Sequence, residues 1–598
     1  MKQLIPAFEQ PPLPAGRFIV EEDPDPEAVP LDVLFVGGGP AGLAGAIRLA
    51  QLAARDRAKG GPLADLEIGV LEKSGELGEH CLSGAVVNPE AFRTLFPDID
   101  EAELPLRGRV AGDRVLLLTE RGRIRLPTPP SMRNHGHHVA SICEIVRWLG
   151  ARAEELGVNV FTGFPADALL MRGRQVVGVR TTPAGLDREG NPAGGYMPAT
   201  DLSARVTVLA EGTRGPLSQA WFEQEGVGSA NPQIFALGVK ELWEVPRPPD
   251  AVTHTMGWPL PRDGFGGSFI YPMGENLVSL GLVVGLDAPY VDLDVHALLQ
   301  RFKQHPFVRG ILDGGELVEW GAKTIPEGGY HAIPDRLSGD GLLIAGDAAG
   351  LVDVASLKGI HYAMRSGILA AGAIGRALSD RGDGAKGGEG ADGDDGADAR
   401  GSADGAEGAV PGARLASYDA ALRESLIQDP LYRNRNQRLA FKSGFFAGGV
   451  KAGLMQATGG TFPGGRIASE PDAAGPRHRR LGLGSAYDGE HAVAKVDAVF
   501  RSGNATRDDI PSHLLTGAEA GTAAGPDAGA AAGAEGGAAV SPEMADLYAS
   551  LCPAGVYERD GERLVVNAPN CIDCKATDIL GPRWTPREGG SGPAYKRM

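Results

Sequence analysis

The chain has 598 residues, 42% hydrophobic and 22% charged, which suits a soluble globular protein with a large core and several domains. A net charge of −18 excludes nucleic acid as the main partner, and 5 cysteines, three of them after residue 550, exclude a disulfide scaffold and leave reduced thiols or metal ligands. No run of 18 apolar residues occurs, so a membrane-spanning helix is excluded, while contact with a membrane surface stays open.

Residues 1–30 are Pro-rich and acidic and read as a flexible tail. The segment lacks the apolar stretch of a secretory signal and the Arg-rich, acid-poor character of a mitochondrial transit peptide. The expected location is the cytoplasmic face of a bacterial inner membrane.

Residues 31–380 alternate strand, glycine turn and helix. "LDVLFVGGG" is an apolar strand running into glycines, and "GLAGAIRLAQLAAR" continues as a helix. "LEIGVLEK", "ARVTVLAEG" and "DGLLIAGDAAG" are further buried strands. That order predicts an α/β fold with a Rossmann-type parallel sheet. Gly37-x-Gly39-x-x-Gly42 sits at the first strand–helix turn, where glycines let backbone approach a pyrophosphate and the helix N-terminus supplies N–H groups. The bland reading is a plain strand–helix connection. Glu72 ends the next strand, where a ribose-binding carboxylate is expected.

The run Gly346-Asp347-Ala-Ala-Gly350 before a helix resembles the second FAD fingerprint of glutathione-reductase-type and hydroxylase-type flavoproteins. That resemblance implies that Asp347 holds the ribityl chain; a helix N-cap is the bland alternative. "TVLAEGTRG", Thr207 to Gly215, resembles the third fingerprint. No second GxGxxG lies between Gly84 and Gly341, so no separate pyridine-nucleotide module is evident.

Two Gly/Ala-rich acidic stretches follow, an insertion at 381–414 and a linker at 516–540. Between them, 415–515 reads as a helical segment. Within it, "LAFKSGFFAGGVKAGLMQATGG" spaces Phe441 and Phe445, and then Phe446, Val450 and Leu454, four apart. That is one apolar helix face, which suits core packing and a membrane interface equally. Glycines at Gly444, Gly448 and Gly449 weaken the helix.

Seven segments in order then carry a family resemblance. They include "GWPLPRDGFGGSFIYPM", "IPEGGYHAIP", "SLKGIHYAMRSG", "LCPAGVYE", "NAPNCIDCK" and "WTPREGGSGPAYKRM". The chain resembles the electron transfer flavoprotein–ubiquinone oxidoreductase family over nearly its whole length. The resemblance implies FAD, one [4Fe–4S] iron–sulfur cluster, and electron transfer flavoprotein as donor. It also implies ubiquinone or menaquinone as acceptor and a monotopic membrane contact. The expected architecture is a FAD-binding fold with an interleaved α+β quinone-binding region at about 215–335 and a ferredoxin-like domain at 541–598. Gly266 and Gly267 match the family's glycine pair at the quinone head group, and His361 lies in a matching segment near it. A β-bulge for the glycines and a packed histidine are the alternatives without the resemblance.

The family's cluster cysteines match Cys552, Cys571 and Cys574, but Thr577 stands at the fourth place, with Asp578 next to it as a candidate oxygen ligand. Three outcomes follow: a [4Fe–4S] cluster with three thiolates and an oxygen ligand, a [3Fe–4S] cluster, or no cluster and a docking domain. Zinc is disfavoured, since no histidine follows His513. The resulting reading is an oxidoreductase that oxidises reduced electron transfer flavoprotein and reduces membrane quinone. Rival readings are a geranylgeranyl-reductase-like or hydroxylase-like flavoenzyme acting on a lipid, and an electron-transfer docking module without turnover.

Overall fold

The computed structural model describes residues 3–384, 408–483, 489–517 and 540–598. Most of the two expected low-complexity stretches lies outside the described residues.

A parallel sheet forms the centre. Strand Val29–Val36 pairs with Ile68–Glu72 on one side and Asp201–Leu209 on the other, and these continue to Asn159–Thr162 and Leu342–Ile344. All four expected strands are present. Their near-continuous apolar runs reflect cover on both faces. Helix Pro40–Arg57 packs on the long helix Ile360–Gly384. The two touch backbone to backbone, because a Cβ at Gly367 would lie 2.0 Å from the Ala41 carbonyl oxygen.

The second sheet has seven strands, ordered Glu316–Pro326, Phe235–Glu244, Leu277–Gly285, Gly266–Gly274, Val252–Gly257, Asp113–Leu118 and Arg123–Leu126. The interleaved region therefore draws on residues 113–126 as well as the expected 215–335. Residues 540–598 pack against this sheet, sharing one apolar core with Trp320, Leu298 and Phe302. They comprise helix Pro542–Leu551, a hairpin of Tyr557–Asp560 and Arg563–Val566, and the short helix Ala576–Leu580.

Two expectations need correction. The N-terminal segment is pinned rather than a free tail: Phe18 is fully buried, Ile19 and Val20 pair with Leu169 and Leu170, and Leu4 bridges to Arg477. Its apolar residues find partners far along the chain. The 415–515 segment is helical to Ala457 and again over Lys495–Arg501, with mostly irregular chain between. The expected Gly-rich helix does form, over Phe445–Ala457, despite its poor intrinsic propensity.

Candidate functional site

One cavity of about 570 Å³ runs between the two sheets. At one end lies the first glycine loop. Gly37 has φ +113, and a Cβ there would lie 2.3 Å from the Ala210 carbonyl oxygen. A Cβ at Gly42 would lie 2.1 Å from the Gly37 oxygen, so both positions require glycine to close the turn. Gly39 is different: it caps the helix and lines the cavity, and a Cβ there would meet no protein atom within 4 Å. Open space faces a helix N-terminus at that point, which is the cradle a pyrophosphate needs. Glu72 lines the same end and accepts N–H bonds from Gly38 at 2.8 Å and Ser74 at 2.9 Å.

Asp347 lines the cavity from the turn Gly346–Ala349. Burial pushes its carboxyl up to about 6, against the pull of Lys323 and a bond from Thr213. Thr213 belongs to the expected third fingerprint, and its hydroxyl, with one hydrogen to share between the two acceptors, also lies 3.1 Å from the Thr324 carbonyl. Gly350 ends the turn with φ +73 and does not line the cavity. The glycine loop, Glu72 and Asp347 thus fit FAD, with a carboxylate at each strand end and a space that only a ligand fills.

Gly266 and Gly267 line the cavity farther along. They pair in regular register with Val284 and Val283, so no bulge occurs there. A Cβ would lie 2.2 Å from the Val283 oxygen at Gly266 and 2.9 Å from the Thr255 oxygen at Gly267, so both glycines also have a structural cause. His361 does not line the cavity, although its neighbours Ile360 and Ala363 do. Burial, with Lys358 and His137 nearby, holds its imidazole down to about 3, the behaviour of a neutral packed histidine. Phe441, Phe445, Ala452 and Gln456 close this end from the helix Phe445–Ala457 and the turn before it.

The cavity's lysines carry no pattern of their own in the sequence, although Lys358 falls within "SLKGIHYAMRSG". Lys240 donates to the Ser83 carbonyl at 2.9 Å, and Lys358 to Asn134 Oδ1 at 2.6 Å. Burial pulls each down to about 8. His254 Nε2 meets the Tyr271 hydroxyl at 2.7 Å in the same wall. These residues lie on strands and loops far apart in sequence, and only tertiary structure gathers them.

The cysteine segment abuts this cavity. Thr324, which lines it, donates its N–H to the Cys574 carbonyl at 3.1 Å, and Lys323 Nζ reaches the Asp573 carbonyl at 3.1 Å. Trp584 and Lys575 also line it, with the Lys575 ammonium 4.3 Å from the centre of the Trp584 ring. Cys552, Cys571 and Cys574 are buried and unpaired. Burial pushes all three thiols up, Cys571 to about 12, while the N–H groups of Val556 and Ala554, of Asp573 and of Ala576 meet the three sulfurs in turn and favour thiolate. Three soft donors with N–H groups aimed at their sulfurs fit an iron–sulfur cluster.

The fourth position is a hydroxyl. Thr577 Oγ1 lies 3.4 Å from the hydroxyl of the buried Tyr557. Asp578 is not free to replace it: one carboxylate oxygen pairs with Arg214 and the other accepts the Trp584 N–H at 3.1 Å. The expectation of Asp578 as a ligand fails because Arg214, opposite it, claims the carboxylate. His513, Cys571 and Asp573 bring one ligand atom each within 4.8 Å of one another. Asp573, however, is engaged by Lys73, Arg587 and the Trp584 Nε1–H. Burial opposes its charge, yet Arg587 and Lys73 hold its carboxyl well below the usual range. A carboxylate ringed by cations is a poor metal ligand.

The comparisons with known proteins agree with one another. A family model described as "ETF-QO, ubiquinone-binding" matches residues 235–325, and one described as "Electron transfer flavoprotein-ubiquinone oxidoreductase, 4Fe-4S" matches residues 535–596. Mitochondrial electron transfer flavoprotein–ubiquinone oxidoreductases are similar throughout. That of Oryza sativa is 36% identical over 96% of this chain and 94% of its own length. That of Homo sapiens is 34% identical over 95% and 89%. Among solved structures, a geranylgeranyl bacteriochlorophyll reductase-like protein from Thermoplasma acidophilum shares the fold, with a TM-score of 0.52 at 19% identity over 71% of this chain and 91% of its own.

Proposed function

This chain belongs to the electron transfer flavoprotein–ubiquinone oxidoreductase family, and from that premise we propose that it oxidises reduced electron transfer flavoprotein and reduces a membrane quinone through FAD and an iron–sulfur cluster. The observation that carries this reading is the single cavity. It has a glycine loop and Asp347 at one end, Gly266, Gly267 and Phe445 farther along, and the cysteine segment against its wall. FAD supplies a centre that accepts electrons singly and delivers two, and an iron–sulfur cluster supplies one that passes them singly.

The chain's own residues bind and orient. Gly37 and Gly39 with Glu72 would hold the dinucleotide end, with Gly42 closing the turn, and Gly346 and Asp347 the ribityl side, with Gly350 ending their turn. Cys552, Cys571 and Cys574 would hold the cluster. The backbone at Gly266 and Gly267 would meet the quinone head group; His361, outside the cavity, would act on that group only through neighbours. Lys240 and Lys358, which line the cavity and are drawn down to about 8 by burial, would hold or release protons beside the reduced acceptor.

The same reading includes a membrane surface. Among the described residues no helix is long and apolar enough to cross a bilayer. The helix Phe445–Ala457 instead turns Phe445 and Ala452 into the cavity and leaves Phe446, Val450 and Leu454 exposed at 67%, 67% and 48%. A lipid-soluble ubiquinone or menaquinone could enter past that helix while its outer face rests on lipid. We take the membrane to be a bacterial inner membrane, approached from the cytoplasmic side, where five free cysteines suit a reducing compartment.

The test separates the two half-reactions. Ala452→Trp fills the cavity from the helix without touching the glycine strand. It is expected to slow quinone reduction at least tenfold while flavin reduction by reduced electron transfer flavoprotein stays within twofold in stopped flow. Equal loss in both half-reactions, or none in either, would overturn the placement of the quinone.

A further inference from the structure

The cysteine segment keeps its sulfur-directed N–H groups and loses one thiolate. We infer that Thr577 marks an exchangeable iron: Cys552, Cys571 and Cys574 hold three corners of the cluster, and the fourth iron faces the Thr577 and Tyr557 hydroxyls. This rests on the reading that the segment carries a cluster.

Four observations lead there. The spacing Cys571-x-x-Cys574-x-x-Thr577 repeats the interval of a ferredoxin ligand run, so Thr577 stands where the next ligand belongs. Lys575, with φ +61, and the short helix Ala576–Leu580 set the loop. Tyr557, whose hydroxyl lies 3.4 Å from Thr577 Oγ1, is buried beside Cys552 and Cys571. Finally, the nearby carboxylates and Cys143 are committed elsewhere. Asp578 is held by Arg214 and the Trp584 N–H, Asp573 by Lys73, Arg587 and Trp584, and Cys143 turns its sulfur to the Cys81 carbonyl. His513 keeps both ring nitrogens buried without a hydrogen-bond partner, and burial holds it neutral close to Cys571, so it is the rival donor that the His513→Leu variant tests.

A hydroxyl is a poor donor to soft iron, so that corner is the weak one. A one-electron oxidant such as ferricyanide takes an electron from [4Fe–4S]2+ to give [4Fe–4S]3+. This releases Fe2+ and leaves [3Fe–4S]+, with the three thiolates unchanged. Reductant and Fe2+ reverse the step.

The test uses the full chain, purified and reconstituted with iron and sulfide without oxygen. After ferricyanide and desalting, the wild-type protein is expected to keep its sulfide, lose one iron in four and give the EPR signal of a three-iron cluster. Adding 57Fe2+ with dithionite should label one site in the Mössbauer spectrum. Thr577→Cys should keep all four irons under the same oxidant, with equal FAD content as the check on folding. The assignment is overturned if wild-type protein retains four irons, or loses all of them together. It is also overturned if His513→Leu abolishes the single-site labelling while Thr577→Cys leaves it. Absence of iron and sulfide from both wild type and Thr577→Cys would instead sink the cluster reading, and electron transfer through FAD alone would then be assayed by flavin reduction.

Discussion

Gly39 and Gly42 sit three residues apart in one loop, yet they answer to different constraints. A side chain at Gly42 would press on the Gly37 carbonyl, whereas one at Gly39 would enter open cavity. Gly39→Val is therefore expected to fold with near wild-type thermal stability and to purify without FAD, while Gly42→Val should fail to fold. Flavin absorbance against protein absorbance reads the first result, and stoichiometric flavin in Gly39→Val would reject the loop as a pyrophosphate site. Asp347 gives a pH-dependent prediction. Burial raises its carboxyl to about 6 in the fold from an ordinary value of 3.8. The folded state then binds more protons than the unfolded state between those values, so stability falls as pH rises through that window and stays lower above it. At about 1.4 kcal/mol per pH unit, Asp347→Asn should stabilise the FAD-free protein by a few kcal/mol near neutrality and by almost nothing near pH 4. Urea midpoints at the two pH values check the sign. Retained tight FAD binding in that variant would remove Asp347 from the cofactor site.

The elements of the flavin body join the cysteine segment through few but buried links. Arg214, at φ +50 in the loop after strand Asp201–Leu209, pairs with Asp578 on helix Ala576–Leu580. Removing one partner of such a pair leaves an uncompensated buried charge, at a cost of about 3–5 kcal/mol. Asp578→Ala should lower the unfolding free energy, read from urea denaturation, by that order whether or not Thr577 is also changed to Cys. A loss of stability that Thr577→Cys rescues would restore Asp578 as a metal ligand. The legibility of these elements in the sequence follows the same division. The strands "LDVLFVGGG" and "DGLLIAGDAAG" were readable because an apolar run ending in glycine has one common structural use. The helix Phe445–Ala457 was readable by its four-residue spacing, although which face met solvent was not. Lys240, Lys323 and Asp573 carried no local pattern, since each has a partner far along the chain, Ser83, Asp573 and Lys73 respectively. The engagement of Asp578 was hidden for the same reason, and the pinned N-terminus likewise depends on Leu169 and Arg477.

At the scale of the whole molecule, three needs meet in one wall. The Asp347 turn and the glycine pair line one cavity, and the cysteine segment abuts it through Lys575, Trp584 and the bond from the Thr324 N–H to the Cys574 carbonyl. On the proposed reading a quinone would reach that cavity from lipid, and the helix Phe445–Ala457 turns one face to the cavity and leaves the other exposed. This makes a prediction that separates anchoring from packing. Full burial of an apolar side chain is worth about 1.5–3 kcal/mol, so replacing the exposed Phe446, Val450 and Leu454 by Ser should weaken partitioning to liposomes more than tenfold. The melting temperature should barely move, because those side chains touch little protein. Reduction of a short-chain, water-soluble quinone should persist in the variant, while reduction of a long-chain quinone embedded in vesicles should fall with the bound fraction. A matched control, Phe445→Ser, alters the cavity face and should slow both quinones without changing partitioning. Co-sedimentation with vesicles, a thermal melt and the two quinone assays measure these four quantities. Unchanged partitioning of the triple variant would move the membrane contact to another surface and leave the cavity as it stands.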